Sequence, residues 1–94
     1  MADKVCLFPL GALVSTPGAL LVLMEAGVTP LSLVIRHVRG DFGDLCEEDR
    51  AANEAAVADG SRVFSSYVVA PDTKVWVITE ADRSVTTLLL PSEY

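Results

Sequence analysis

The sequence has few basic side chains, two cysteines and a single histidine. Seven lysines and arginines stand against thirteen acidic residues, so the formal net charge is −6 and the pI is near 4.5. A chain of this charge repels a phosphate backbone, which argues against direct binding of nucleic acid. Cys6 and Cys46 are too few for a disulfide-rich secreted domain, and with His37 they cannot supply the four ligands of a zinc site. We therefore expect a reduced cytoplasmic protein that carries no metal and no cofactor.

The sequence also lacks long polar or low-complexity stretches. Its 94 residues are 51% hydrophobic and the mean hydropathy is +0.43, which suits one packed domain over residues 1–94 and leaves no room for a second. Residues 5–24 contain no charge and approach the length of a membrane span, but prolines and glycines interrupt them. We interpret this run as an apolar strand followed by a buried helix, and we expect no association with a membrane.

Two Thr-Pro pairs predict the starts of two short helices. Thr16-Pro17 and Thr29-Pro30 each combine an N-cap residue with a proline in the first turn, and glycines follow at positions 27 and 40. The first helix has Glu25 as its only charge, so it is expected to be buried on most sides. In the second helix, His37 near the C-terminus is expected at the surface. The predicted apolar stripe of this second helix consists of Leu31, Val34, Ile35 and Val38.

A third helix is predicted between residues 45 and 59. Asp44 and Glu47 have the spacing of a capping box with the aspartate as the cap, and an alanine-rich run follows. The apolar stripe is narrow and made of small side chains, so a large part of this helix is expected to face solvent. That stripe consists of Leu45, Ala52, Ala55 and Ala56.

The last third of the chain predicts three β-strands, over residues 62–70, 74–80 and 85–90. They form an antiparallel meander, so the predicted fold class is α+β, with two or three short helices packed on a small antiparallel sheet. Trp76 and Ile78 are expected to face the helices, and Val75 and Val77 to face the other way with Thr79. The side chains expected beside Trp76 are Phe64, Leu88 and Leu90. An N-terminal strand within residues 5–14 either covers the second face or leaves it open to a partner.

Residues that could catalyse a reaction do not form a recognisable motif. Neither Ser32 nor Cys46 stands beside His37 in a pattern that combines a nucleophile with a base. Asp41-Phe42-Gly43 copies a kinase tripeptide, but the chain has no room for the remainder of a kinase. The acidic residues that follow do not have the spacing of a calcium-binding loop. We expect no enzymatic activity.

The distribution of charge is the most informative feature outside the core. Residues 41–59 contain seven acidic side chains and one arginine, and the remainder of the chain is neutral. One interpretation is a solvated helix face whose first acidic residues favour the positive end of the helix dipole. The other is an anionic surface that takes the place of phosphates in a basic groove. The candidate partner-binding residues are Asp41, Asp44, Glu47, Glu48, Asp49 and Glu54.

Three segments carry a resemblance to a known family. They are Phe8-Pro-Leu-Gly11, Gly40-Asp-Phe-Gly-Asp-Leu45 and residues 74–94. With them the chain resembles small proteins encoded on bacterial plasmids and other mobile elements, and in size and charge it is similar to anti-CRISPR inhibitors, including those of type I-C systems. The resemblance implies a non-enzymatic inhibitor that docks on the DNA-binding surface of a crRNA-guided surveillance complex. Its partner would be a protein, with the large subunit that reads the PAM as a candidate, and the inhibitor would act as a monomer in the host cytoplasm.

Two other functions remain open from the sequence. The first is a plasmid-encoded regulatory or interaction module that uses the apolar sheet face to bind a partner or a second copy of itself. The second is a small enzyme or enzyme subunit, which the missing nucleophile–base pair disfavours.

Overall fold

The computed structural model describes residues 6–94. It has the α+β fold expected from the sequence, with three helices and four strands. In chain order the elements are β1 (Ala12–Ser15), α1 (Pro17–Ala26), α2 (Pro30–Val38), α3 (Glu47–Asp59), β2 (Val63–Ala70), β3 (Thr73–Thr79), β4 (Val85–Leu89) and a short 3₁₀ helix (Pro91–Glu93).

The four strands form one sheet in the order β1-β4-β3-β2. Strands β2, β3 and β4 form the predicted antiparallel meander. β1 pairs with β4 in parallel, with Ala12 opposite Val85, so the sheet is mixed and not purely antiparallel. A parallel pair needs a long connection, and here the three helices together with strands β2 and β3 provide it. The predicted N-terminal strand therefore exists, but it extends the sheet at its edge and does not cover a face.

The helix starts are those predicted from the Thr-Pro pairs. The Thr16 side chain accepts a hydrogen bond from the Ala19 N–H at 3.1 Å, and Thr29 accepts one from the Ser32 N–H at 3.3 Å. These bonds satisfy N–H groups that have no partner inside a helix. At the other end of α1, Gly27 adopts the left-handed conformation that closes the helix. Helices α1 and α2 then pack on the same face of the sheet.

The prediction of which sheet face meets the helices is wrong. Val75 and Val77 are fully buried in the core beneath α1 and α2, together with Leu23 and Tyr67. Trp76 lies on the opposite face, where its ring meets that of Phe64 with the centroids 5.0 Å apart. Strand β3 alternates apolar residues on both faces, and the smaller valines fit under the helices. Leu88, paired with Val77, and Leu90 do lie on the helix side, as expected.

Helix α1 is much more exposed than its sequence predicts. Ala19 and Leu23 are buried against the sheet, but Leu20, Leu21 and Met24 are 42%, 55% and 76% exposed. No further layer of the described chain covers this side of the helix.

Helix α2 is turned slightly from its predicted stripe. Val34 and Val38 are buried as expected, and Leu33 and His37 are buried with them. Leu31 and Ile35, the other half of the predicted stripe, are exposed and extend the apolar surface of α1.

Candidate functional site

Helix α3 carries most of the acidic residues that the sequence analysis singled out. It begins at Glu47 with Cys46 as its N-cap, so the predicted capping box at Asp44 does not form. Asp44 is held elsewhere: its N–H donates to the Ser66 carbonyl at 2.6 Å, and its carboxylate lies 3.2 Å from the Lys74 ammonium. The edge of β2 thus fixes Asp44 before the helix starts.

The Asp41-Phe42-Gly43 tripeptide has a structural role in this connection. Phe42 is buried, and its carbonyl accepts a hydrogen bond from the Ser66 N–H at 3.1 Å. Gly43 has a φ of 78°, and a Cβ there would collide with the Ser66 carbonyl and the Tyr67 ring. The tripeptide therefore pairs with the outer edge of β2 and leads the chain into α3.

Asn53 attaches α3 to the sheet. Its side-chain oxygen accepts from the Phe64 N–H at 3.0 Å, and its side-chain nitrogen donates to the Phe64 carbonyl. Ala56, one turn further on, is also buried, whereas Ala52 and Ala55 of the predicted stripe are exposed. Asn53 was not predicted from the sequence, although it lies three residues before Ala56 and therefore on the same face of the helix.

Arg83 holds the other end of α3. It donates to the Ser61 carbonyl, just beyond the helix, at 2.6 Å, and to the Ala56 carbonyl in the last turn at 3.0 Å, which also accepts from the Gly60 N–H. With Asn53 it fixes α3 at two points. The helix is therefore a rigid support for the side chains on its outer side.

The six predicted partner-binding residues divide into two groups. Asp41 and Asp44 are exposed but paired: the Arg36 guanidinium hydrogen-bonds to the Asp41 carboxylate at 2.7 Å and lowers the pKa of that carboxyl. Among residues 6–94, ion pairs within 4.0 Å do not include any acidic residue of α3. The other four predicted residues lie on the helix and are all exposed; they are Glu47, Glu48, Asp49 and Glu54.

Three of these four point away from the sheet. Glu47 and Glu54 are seven residues apart, which places them almost in line along the helix and about 10 Å apart in axial rise. Glu48 lies about 100° around the helix from Glu47, on the same outer side, whereas Asp49 is turned about 200° from it. We call Glu47, Glu48 and Glu54 the acidic face.

The acidic face can accept hydrogen bonds and attract cations. Within residues 6–94, no group of three or more histidine, cysteine or carboxylate side chains is placed to hold a metal ion. Ionised carboxylates are acceptors only, and their natural partners are guanidinium and ammonium groups. The arrangement therefore suits a basic protein surface.

His37, which was predicted to lie at the surface, is fully buried. It belongs to a series of hydrogen bonds that runs from β2 across β3 and β4. Thr86 donates its hydroxyl proton to the Leu10 carbonyl at 2.7 Å, so the Thr79 hydroxyl must donate to Thr86, 2.7 Å away. Thr79 then accepts from His37 Nε2 at 2.9 Å, and His37 Nδ1 accepts from the Ser65 hydroxyl at 2.6 Å. Because each hydroxyl in this series donates one proton, His37 must be the neutral tautomer that carries its proton on Nε2.

Burial and the positive charge of Arg83 lower the pKa of His37 from 6.5 to about 4. The ring is also packed against Phe8, with the ring centroids 5.2 Å apart. His37 is therefore neutral at physiological pH and inaccessible to a substrate, which explains why the only histidine of the chain is structural.

A second surface lies on the sheet face opposite the helices. A groove of about 240 Å³ is lined by Arg62, Phe64, Trp76, Ile78 and Tyr94, and we call it the aromatic groove. Tyr94 contacts Trp76 with ring centroids 5.6 Å apart, and its hydroxyl accepts a hydrogen bond from Arg62 at 2.7 Å. The sequence predicted that Val75 and Val77 form an outward-facing apolar surface for a partner. This prediction is wrong, because both valines are buried under the helices, and the aromatic groove is the surface that the open face of the sheet presents.

In the described part of the chain, no single helix is long and apolar enough to cross a membrane; α1 and α2 together have the length and composition, but they are bent by 102° at the break between them. Comparison with protein-family models, with curated proteins and with solved structures finds no match to this chain.

Proposed function

We propose that this protein is a non-enzymatic anti-CRISPR inhibitor that binds a type I crRNA-guided surveillance complex in the bacterial cytoplasm and blocks recognition of target DNA. The observation that supports this function is the acidic face, a rigid and exposed row of carboxylates without basic partners among the described residues. The resemblance to mobile-element proteins supplies the defence context. The partner surface is the groove that receives DNA, with the PAM-reading large subunit as its candidate owner.

Charge spacing explains how a helix could occupy such a groove. Phosphates of one DNA strand follow each other at about 3.4 Å along the axis, so the axial distance of about 10 Å between Glu47 and Glu54 corresponds to three phosphate steps. Lysine and arginine side chains that bind phosphates form charge-assisted hydrogen bonds with carboxylates as well. Because Asn53 and Arg83 hold α3, little conformational entropy is lost when the acidic face binds.

A gel-shift assay with a purified type I-C surveillance complex tests the function directly. Addition of the protein is expected to remove the band of the complex bound to target DNA, and the protein is expected to co-purify with the complex. Raised salt should weaken this association, because exposed charges are screened. An unchanged shift without co-purification would contradict the proposal.

Neutralising the acidic face should abolish the inhibition. In the variant Glu47→Gln/Glu48→Gln/Glu54→Gln we expect a folded protein, with a melting temperature slightly lowered by the lost helix-dipole interaction, but a loss of inhibition of at least about tenfold, because charge-assisted contacts are removed. The control Glu25→Gln/Asp72→Asn/Glu80→Gln removes the same amount of charge from exposed or half-exposed sites elsewhere. Equal inhibition by the two variants in the gel-shift assay would show that the position of the acidic residues is irrelevant.

The aromatic groove favours a second candidate function, a plasmid-encoded interaction module that binds its partner through the sheet face. Trp76 and Phe64 are aromatic residues on a face that carries none of the three α-helices, and such surfaces often bind proteins. In the co-purification assay, Trp76→Ala would then abolish binding in a folded protein while the acidic-face variant still binds. The reverse pattern would favour the inhibitor that uses the acidic face.

A further inference from the structure

The edge of the sheet formed by β1 carries an extended apolar surface that the proposed inhibitor does not use. Seven large aliphatic side chains on β1, α1 and α2 are between 39% and 76% exposed. The only charged residue between positions 12 and 35 is Glu25. We call this set the β1 surface; it consists of Leu13, Val14, Leu20, Leu21, Met24, Leu31 and Ile35.

The β1 surface is continuous across three elements. A groove of about 480 Å³ lies between them, and Leu13 of β1, Leu20 of α1 and Leu31 of α2 are among its lining residues. Leu21 and Met24 extend the apolar surface along the outer side of α1. An exposed apolar surface of this size on a small protein usually marks an interface.

The backbone of β1 adds open hydrogen-bonding groups to this surface. Ala12 and Thr16 donate their N–H groups to the Ser84 and Leu88 carbonyls of the β4 side, each at 3.0 Å. Because alternate residues bond to opposite sides of a strand, Leu13 must turn its N–H and carbonyl away from β4, as must Ser15. No strand within residues 6–94 pairs with that side of β1.

The opposite edge of the sheet, at β2, is protected from pairing with another chain, because other residues of the protein already bond to its backbone. The open edge at β1 is therefore the one at which pairing with another chain is expected. On β2, the Ser66 backbone bonds to Phe42 and Asp44, and Asn53 satisfies both backbone groups of Phe64. Natural sheets cover, charge or twist their edge strands to prevent pairing with other chains. In the described part of the chain, β1 has neither a cover nor a charge.

We propose that the β1 surface is the interface of a homodimer in which β1 pairs antiparallel with β1 of a second copy. An open strand edge pairs best with another strand, and β1 of a second copy is such a strand with the same apolar residues beside it. A two-fold axis at Val14 would place it opposite Val14 of the partner. Leu13 and Ser15 would then exchange backbone hydrogen bonds with the partner's Ser15 and Leu13, and the two sheets would form one sheet of eight strands.

The size of the β1 surface fits a dimer. Seven large aliphatic residues at about half exposure present on the order of 600–700 Å², close to the roughly 800 Å² that each partner contributes to a typical stable interface. Paired backbone and neighbouring side chains provide the remainder.

Charge also permits self-association at this edge and not at the other. Helix α3 packs against β2, three strands away from β1, which is about 14 Å at the usual strand spacing. This distance exceeds the Debye length of about 8 Å at physiological ionic strength, so the two acidic faces would not repel each other across the interface. The proposal departs from the monomer expected from the sequence, and it does not depend on the proposed inhibitor function.

Sedimentation equilibrium of the full chain, from low micromolar to millimolar concentration, tests the dimer. We expect a transition from the 10.0 kDa monomer to a species of about twice that mass. The variant Leu13→Lys/Val14→Lys should raise the dissociation constant by about a hundredfold or more, because it would bury charge in an apolar interface. Val68→Lys, at an equally exposed apolar position on β2, is the control and should leave the dimer unchanged.

Folding of each variant is checked by circular dichroism and by its melting temperature, so that loss of the dimer is separated from loss of the fold. A chain that stays monomeric at millimolar concentration would overturn the proposal. So would a dimer that Leu13→Lys/Val14→Lys does not weaken or that Val68→Lys weakens equally. Flotation with phosphatidylcholine vesicles of a chain that remains monomeric would also overturn it and would assign the β1 surface to lipid.

Discussion

Acidification from pH 6.5 to pH 4 is expected to lower the free energy of unfolding by about 3 kcal/mol through His37 alone. The folded protein holds this ring neutral with a pKa of about 4, whereas in the unfolded chain its pKa is about 6.5. Between these values the unfolded state binds the additional proton, so stability is complete above pH 6.5 and falls as the pH decreases towards 4. The hydrogen-bond chain has the same requirement, because Nδ1 must stay unprotonated to accept from Ser65.

Urea unfolding at several pH values measures this effect, and His37→Gln is the matched variant. Glutamine can donate and accept hydrogen bonds but does not titrate, so the loss of stability between pH 6.5 and 4.5 should disappear. Carboxyl groups contribute at lower pH, since the hydrogen bonds that they accept lower their pKa values from about 4. These groups are Asp41, Asp59, Asp82 and Glu93. The same pH dependence in both proteins would contradict the assignment to His37.

The variant Asn53→Ala is expected to lower the free energy of unfolding by about 2–3 kcal/mol and to loosen α3. The substitution leaves the Phe64 N–H and carbonyl without the partners that Asn53 provides, and a half-buried backbone group without a partner is costly. Few apolar contacts support this attachment, because Ala56 is the only buried apolar residue of α3 and Val57 is only half-buried. Urea unfolding gives the loss of stability, and amide hydrogen exchange shows whether α3 loses protection before the strands do.

Glu54→Gln, at the next residue, is the control because its side chain is exposed and makes no ion pair within the described residues. It should change stability by less than about 0.5 kcal/mol. If Asn53→Ala behaved like this control, the sheet would not depend on Asn53 to hold the helix. If the variant does loosen α3, inhibition should weaken although no charge has been removed.

The helices and strands were predicted well, because capping residues and β-branched runs are signals that lie within each element. Thr16 and Thr29 each make the predicted cap, and the β-branched runs became strands. The start of α3 was placed too early because Asp44 prefers partners distant in sequence, the Ser66 carbonyl and Lys74. The spacing of Asp44 and Glu47 alone does not show whether Asp44 caps the helix or bonds to residues that are distant in sequence.

The orientation of the sheet could not be predicted from alternation. Both faces of β3 are apolar, with Val75 and Val77 on one and Trp76 and Ile78 on the other. A period of two assigns residues to faces but does not say which face the helices cover. In the structure the helices α1 and α2 pack on the valines, and Trp76 lies on the other face with Phe64.

The acidic residues of the candidate site could be predicted from the sequence, but the residues that hold α3 and the core in place could not. The exposed acidic residues of α3 follow directly from the sequence, but His37 and Asn53 were missed because their partners lie at distant positions. His37 bonds to Ser65 and Thr79, and Asn53 to the Phe64 backbone. A polar residue within an apolar stripe indicates such a partner, although it does not identify it.

The parallel pairing of β1 with β4 determines when this protein can finish folding during translation. Ala12 pairs with Val85, and the Thr16 hydroxyl donates to the Glu93 carboxylate at 2.7 Å, so β1 needs partners that are synthesised roughly seventy residues or more after it. At about 5–20 residues per second, the ribosome takes roughly 4–15 s to make the roughly seventy residues that separate Ala12 from Val85. During that time the apolar first helix has no sheet on which to dock. Residues 12–26 therefore wait longest for their partners in the nascent chain, and pairing at such sequence separation predicts slow folding for a domain of this size.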